Sequence, residues 1–140
     1  MKKFCAAITA ASMLLSSANV AYAENSKDPY AAEPAYMEYD YIILTGSYLS
    51  INGKTARCKS EAKGMEEVTK IEATQYLEKK TLWWWDPVDD WSLSVKGNNL
   101  EMTNYKSELG SGTYRLRTVF TVYVSGDSEP DEVISEEITI

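Results

Sequence analysis

The chain has 140 residues and a net charge of −7, with 14 basic and 21 acidic side chains and no histidine. The acidic balance disfavours nucleic acid and anionic lipid as partners. The lack of histidine excludes Ser-His-Asp and Cys-His catalysis in their usual forms, and zinc sites built on imidazole.

The N-terminus has the three parts of a secretory signal peptide. Lys2 and Lys3 precede an apolar run over residues 4–15, and small residues then lead to Ala23. The run is too short and too rich in Ala and Ser to span a membrane as a helix. We therefore predict a signal peptide over residues 1–23, secretion, and a mature chain without a membrane anchor. Loss of the two lysines takes the net charge from −7 to −9.

Residues 24–38 contain two prolines and many small residues, and they show no hydrophobic period. This composition predicts a flexible leader. The remaining residues, 39–140, have the size of one domain with a core of its own.

Apolar and polar side chains alternate most regularly between Gly110 and Val124. The large apolar side chains lie at even-numbered positions: Tyr114, Leu116, Phe120 and Val122. A period of two is typical of a strand with one buried face. Further strands are predicted over residues 39–51 (with a kink or bulge at Gly46), 55–62, 68–77, 91–95, 100–108 and 133–140. Tight turns are predicted at Asn52-Gly53, Gly97–Asn99 and Gly126–Asp131.

One of these segments has a competing interpretation. Residues 66–80 are rich in Glu and Lys, which favours a helix. Val68, Thr69, Ile71 and Thr74 are β-branched, and they favour a strand. With the strand, the chain has about seven strands joined by short turns, which predicts an all-β, antiparallel sandwich.

Two resemblances follow from short motifs. Gly112-Thr113-Tyr114-Arg115-Leu116 resembles the sixth strand of immunoglobulin-like (Ig-like) domains, in which a tyrosine lies two residues before a core cysteine. Leu116 takes that cysteine's place, and Cys58 is the expected partner on the second strand. The chain from Tyr39 to Val124 also resembles small uncharacterised proteins secreted by Gram-positive, often gut-dwelling, bacteria. The motifs that carry this second resemblance are residues 52–58, 83–91 and 112–115, and it implies a domain of unknown function.

Cys58 is the single cysteine after the predicted cleavage site, so the mature chain has no internal disulfide. The thiol is either reactive or a small apolar group in the core, and burial is the more common state of a free cysteine.

Carboxylates are the remaining candidates for chemistry. Three aspartates lie beside tryptophans in the sequence, at Asp86, Asp89 and Asp90. Two carboxylates of this kind could act as the acid and base of a glycosidase, but a chain this small rarely forms the deep cleft that such a site requires. The acids between Asp127 and Glu132 suit Ca²⁺ by type, yet a solvated turn explains them better. We predict no enzyme activity, no cofactor and no metal.

The candidate binding residues are Trp83, Trp84, Trp85 and nearby Tyr76. Three consecutive tryptophans either cap an open end of the sandwich or leave a ring exposed for a protein or a sugar. The leading hypothesis is a protein-interaction module that uses this patch, or strand addition along residues 133–140. The alternative is a carbohydrate-binding module.

Overall fold

The structure is a computed structural model, and it describes residues 39–140. The predicted signal peptide and leader lie outside the described residues. Within residues 39–140, no helix has the length and apolar content to span a bilayer. The strands of the described part are β1 (Ile42–Asn52), β2 (Thr55–Gly64), β3 (Lys70–Lys80), β4 (Trp85–Lys96), β5 (Asn99–Lys106), β6 (Thr113–Val124), β7 (Asp127–Ile134) and β8 (Ile138–Thr139).

The strands form two antiparallel sheets that pack against each other. One has the order β1-β2-β5, and the other has the order β4-β3-β6-β7, with the short β8 also pairing with β6. In Ig nomenclature these are strands A, B and E in one sheet and C′, C, F and G in the other. The predicted all-β, Ig-like antiparallel sandwich is confirmed.

β6 is the strand around which the larger sheet forms. It pairs with β3 on one side and with β7 and β8 on the other. Its even-numbered side chains from Tyr114 to Val122 are buried, as the alternation predicted. Residues 66–80 contribute β3 and no helix, so the strand interpretation of that segment is confirmed.

The Gly97–Asn99 segment is not the predicted hairpin turn. β4 pairs with β3 and β5 pairs with β2, so the residues between them cross from one sheet to the other. Gly97 has φ +110°, a conformation that favours glycine. A Gly-Asn-Asn sequence indicates a reversal of direction, but it does not indicate which sheet the next strand joins.

The predicted turn at Gly126–Asp131 is shorter in the structure. Val124 pairs with Asp127, so two residues form the turn and the acidic segment that follows belongs to β7. The last strand is correspondingly interrupted between β7 and β8. Ile134, at the end of β7, pairs with Arg117, and 46% of it is exposed on the outer face.

The irregularity in β1 lies at Ile43 and not at Gly46. Ile42 pairs with Gly64 and Leu44 with Lys63, which leaves Ile43 as an extra residue and is the pattern of a β-bulge. Gly46 keeps regular pairing, and the ring of the half-exposed Tyr48 lies over it. A Cβ atom at this position would lie 2.7 Å from the ring of Tyr48.

The core confirms the Ig-like motif at the side-chain level. Cys58 and Leu116 belong to one buried cluster, together with Tyr114 and Leu77. The hydroxyl of Tyr114 donates a 2.7 Å hydrogen bond to the carbonyl oxygen of Gly110, four residues upstream. This contact is the tyrosine corner of Ig-like domains, and it fixes the entry into β6.

A chain of hydrogen bonds between buried polar side chains crosses the core. Ser47 and Ser60, from the smaller sheet, each bond to Thr118 at 2.9 and 2.8 Å. The amide of Gln75 donates to Ser60 and accepts from Asn104. Each of these five side chains has at least one hydrogen-bond partner, and the chain of bonds joins the two sheets.

Candidate functional site

The β3–β4 hairpin ends in three exposed apolar side chains. Leu82, Trp83 and Trp84 are 88%, 82% and 61% exposed, and we call them the aromatic tip. Lys80 pairs with Trp85, so the tip follows directly on the paired strands. Large apolar side chains that are adjacent and exposed commonly mark interaction surfaces, whereas single ones do not.

Thr81 holds the backbone of the tip. Its N–H and its hydroxyl both donate to the carbonyl oxygen of Trp84 at 2.8 Å, and its hydroxyl accepts from the N–H of Trp84 at 3.0 Å. This local bonding is typical of Thr in turns. The tip is therefore a tight, internally bonded turn.

The two tryptophans of the tip differ in how far they are fixed. The indole N–H of Trp84 donates to the carboxylate of Asp86 at 2.7 Å. The indole N–H of Trp83 has no hydrogen-bond partner within residues 39–140, and its ring is the more exposed. A partner could thus bury both the Trp83 ring and its N–H group, a combination common at interfaces.

Trp85 and Tyr76 belong to the paired part of the β3–β4 hairpin and lie on the outer face of the larger sheet. The guanidinium of Arg115 lies 4.2 Å from the centroid of the Trp85 ring, and that of Arg117 lies 4.3 Å from the Tyr76 ring. Both rings are covered by a cation, so neither offers that face to a sugar. Of the four candidate residues, the structure leaves Trp83 and Trp84 exposed and places Trp85 and Tyr76 under arginines.

Glu78 joins these two arginines. Its carboxylate accepts from Nε of Arg115 at 2.8 Å and from Nε of Arg117 at 3.0 Å, and Arg117 also donates to Glu132. Burial acts to lower the pKa of Arg117, but hydrogen bonds to Glu78 and Glu132 outweigh it and raise the pKa. We call Glu78, Arg115 and Arg117 the arginine cluster. Its internal pairing indicates a structural role.

The three aspartates considered for glycoside hydrolysis do not converge. Asp86 accepts from Trp84, and Asp89 forms a 3.4 Å ion pair with Lys106. Asp89 and Asp90 are neighbours on one strand, so their side chains leave it on opposite faces. This is unlike a carboxylate pair that flanks one glycosidic bond.

The acids of β7 are also dispersed. Glu129 accepts from the N–H of Tyr41 and Asp131 accepts from Thr45 on the side facing β1, whereas Glu132 pairs with Arg117 on the outer face. Among residues 39–140 there is no group of three side chains placed to hold a metal ion.

Cys58 is fully buried, so the core interpretation of the thiol is confirmed. Burial raises its pKa to about 12, and the nearby charge of Asp89 adds to the effect. The nucleophile is the thiolate, which this environment suppresses at neutral pH.

Sequence analysis did not single out Leu82 or the arginine cluster. Leu82 is the most exposed large apolar side chain of the described part, and its signal was its position directly before the tryptophans. The arginine cluster depends on the pairing of β3 with β6, which cannot be read from the sequence.

Comparisons with known proteins add a distant structural likeness. No protein-family model and no curated protein matches the chain. Among solved structures, it is similar to the sporulation control protein Spo0M from Bacillus subtilis, with 11% identity and a TM-score of 0.32. The match covers 66% of this chain and 48% of that chain, so this chain spans about half the length of Spo0M. The resemblance to secreted Gram-positive proteins therefore stays a prediction.

Proposed function

We propose that this chain is a secreted, non-enzymatic Ig-like module that binds a partner protein through the aromatic tip. The observation that carries the proposal is the exposure of Leu82, Trp83 and Trp84 at one tight turn. Secretion is supported by the signal-peptide pattern of residues 1–23. The proposed module acts without a cofactor and without nucleic acid.

A protein fits the tip better than a glycan does. Leu82 is aliphatic and has no flat face on which a sugar could stack, yet it is more exposed than either tryptophan. Tryptophan is enriched among residues that dominate binding energy, where it fills a pocket of the partner. We infer a partner that offers an apolar pocket with a hydrogen-bond acceptor for the Trp83 indole.

The alternative function, carbohydrate binding, rests on one specific contact. The bond from the indole of Trp84 to Asp86 fixes the ring, and a fixed ring is the kind that stacks well on a sugar. In this alternative Trp84 supplies the platform and Asp86 stays hydrogen-bonded to it.

The test compares two variants with the unchanged protein. Trp83→Ser removes the most exposed ring, whereas Ile43→Ser removes an exposed apolar side chain of β1 (57% exposed) as the matched control. Each is used as bait for cell-wall and culture fractions, followed by affinity measurement with the purified protein that is captured. We expect Trp83→Ser to weaken that affinity by about thirtyfold or more, and Ile43→Ser to leave it within about threefold.

Two further measurements separate the alternatives. Quenching of tryptophan fluorescence by a soluble glycan, abolished by Trp84→Ser but not by Trp83→Ser, would support the carbohydrate function instead. Flotation of the protein with neutral lipid vesicles, abolished by Trp83→Ser, would replace both with an interfacial role. Equal weakening of partner binding by Trp83→Ser and Ile43→Ser would contradict the assignment to the tip.

A further inference from the structure

An open groove lies on the outer face of the smaller sheet, away from the aromatic tip. It has a volume of about 550 Å³, which is in the range of small-molecule sites. It is lined by Ser50, Asn52, Thr55, Arg57 and Tyr105, and we call it the Arg57 groove. The β1–β2 hairpin closes one end, where Asn52 pairs with Thr55.

Register places the central residues of the groove in one row. Arg57 of β2 pairs with Ser50 of β1 and with Tyr105 of β5, so these three side chains leave the sheet on the same face. Tyr105 is 61% exposed. A cation, a hydroxyl and an open aromatic ring are thus held side by side on paired strands.

The side chains of the groove are unused by the fold. Within residues 39–140, none of the five makes a side-chain hydrogen bond, an ion pair or a cation–π contact. Other outward-facing polar side chains are engaged: Tyr48 donates to Glu61, and Arg115 and Arg117 bond to Glu78. The groove therefore combines a guanidinium, hydroxyls and an amide that are all available to a ligand.

Charge around the groove is positive on an otherwise acidic chain. Lys59 occupies the next row of the sheet, and Lys54 lies in the hairpin turn. Acids on this face begin at the pair formed by Glu61 and Glu101, four residues and about 13 Å along β2 from Arg57. That distance exceeds the screening length at physiological salt. Glu108 lies in the loop after β5, and the N–H of its neighbour Leu109 donates to the carbonyl oxygen of Lys54 at 3.0 Å, so one acidic residue follows the hairpin end of the groove closely.

We propose that the Arg57 groove binds a carboxylated sugar, a uronic acid unit of an extracellular polysaccharide. The planar guanidinium matches a carboxylate in two-point geometry, the Tyr105 ring stacks on a sugar face, and Ser50, Asn52 and Thr55 bond to ring hydroxyls. A single arginine suits a monoanion better than a phosphate dianion.

This site is independent of the aromatic tip. The tip belongs to the β3–β4 hairpin and the groove to β1, β2 and β5, which form the other sheet. The two proposals can therefore fail separately.

The test titrates isotope-labelled protein with trigalacturonic acid and follows backbone amide signals by NMR. We expect shifts at the residues of the groove and none at Trp83. Methyl esterification of the trisaccharide keeps its shape and removes its charge, and it should weaken binding by about tenfold or more. Arg57→Gln should have the same effect, and Tyr105→Leu should weaken binding through loss of stacking.

The matched control is Lys59→Gln, which removes the same charge one row away. Its effect should stay below about threefold, because the Lys59 ammonium lies 6.0 Å from the centroid of the Tyr48 ring and is not among the side chains that line the groove. The spectra of all variants report directly on whether they fold. The proposal is overturned if trigalacturonic acid produces no shifts in the groove, if its methyl ester binds equally well, or if Lys59→Gln weakens binding as much as Arg57→Gln.

Discussion

Glu78 lies on the outer face of its sheet, yet only 6% of it is exposed because Arg115 and Arg117 cover it. Each arginine in turn covers an aromatic ring. One carboxylate therefore holds the positions of two guanidinium groups and, through them, covers Trp85 and Tyr76. The charge of Glu78 is the feature on which this arrangement depends.

Glu78→Gln should lower the free energy of unfolding by roughly 1–3 kcal/mol. The substitution keeps the size of the side chain but leaves two mostly covered cations without their counter-charge. Urea unfolding at pH 7 measures the change. Glu132→Gln is the matched control, because its side chain is 52% exposed and should cost less than about 1 kcal/mol. Equal losses in the two variants would contradict the assigned role.

At the residue scale, short-range motifs were predictable and cross-strand contacts were not. The role of Tyr114 follows from a motif within five residues, and its bond to Gly110 spans four positions. The neighbours of Tyr76 and Trp85 come from β6, about forty and thirty residues further along the chain, and depend on register. The four candidate aromatic residues could therefore be named from the sequence. Which of them are exposed at the tip and which are covered by arginines could not be predicted.

The strands themselves follow from alternation, whereas their distribution between sheets does not. β4 and β5 are separated by Gly97 and Asn98, a spacing that also fits a hairpin. In the structure β4 and β5 belong to different sheets. The connection from β2 to β3 also passes from one sheet to the other, and the N–H of Gly97 donates to the carbonyl oxygen of Thr69 in that connection. Two hydrogen-bonded connections between the sheets, β2 to β3 and β4 to β5, are therefore found where the local pattern indicated a hairpin.

The β1–β2 connection is a true two-residue turn, formed by Gly53 and Lys54 between the pair Asn52 and Thr55. The prediction placed Asn52 in the turn, but Asn52 is the last residue of β1. Gly53 has φ +65° and Lys54 does not have a positive φ, the pattern of hairpin turns that require glycine first. The turn also closes the end of the Arg57 groove.

Gly53→Ala should lower the free energy of unfolding by about 1 kcal/mol, since an L-residue pays for the left-handed conformation. Open space surrounds the added Cβ, so the cost is one of backbone conformation alone. Gly110→Ala is the control: it has no left-handed φ, and its nearest neighbour is Nζ of Lys79 at 3.8 Å. A chemical unfolding curve for each variant gives the comparison, and a neutral Gly53→Ala would show that the turn relaxes without cost.

At the scale of the whole molecule, the two sheets are joined by an apolar cluster and by the polar chain through Thr118 and Gln75. The alternation of apolar and polar residues predicted the apolar cluster, because the buried side chains of β6 occur at every second position. The polar part was missed, since Ser, Thr and Gln at buried positions look like solvent-facing residues in sequence. The exposure of Leu82 and the side chains around Arg57 that are unpartnered within residues 39–140 were not predicted for a related reason. Whether a side chain is exposed depends on which other elements pack next to it in the fold.

Cys58 couples the core to the pH dependence of overall stability. Its pKa is raised from 9.0 to about 12 by burial and by Asp89, so the thiol ionises in the unfolded chain at a lower pH than in the fold. Stability from this group is complete below pH 9 and is lost as the pH rises from about 9 towards 12. The slope over that window should approach 1.4 kcal/mol per pH unit.

Cys58→Ala separates this effect from the titration of lysines and tyrosines. The variant is less stable at pH 7, because Ala leaves space in a close-packed cluster, but its unfolding free energy should fall less steeply between pH 9 and 11. Urea unfolding at several pH values in that interval, under reducing conditions, supplies both slopes. Thiol labelling of the unchanged protein at pH 8 should proceed only as fast as unfolding exposes the sulfur. Identical slopes for the two proteins, or labelling as fast as that of a free thiol, would show that Cys58 is accessible in the folded state.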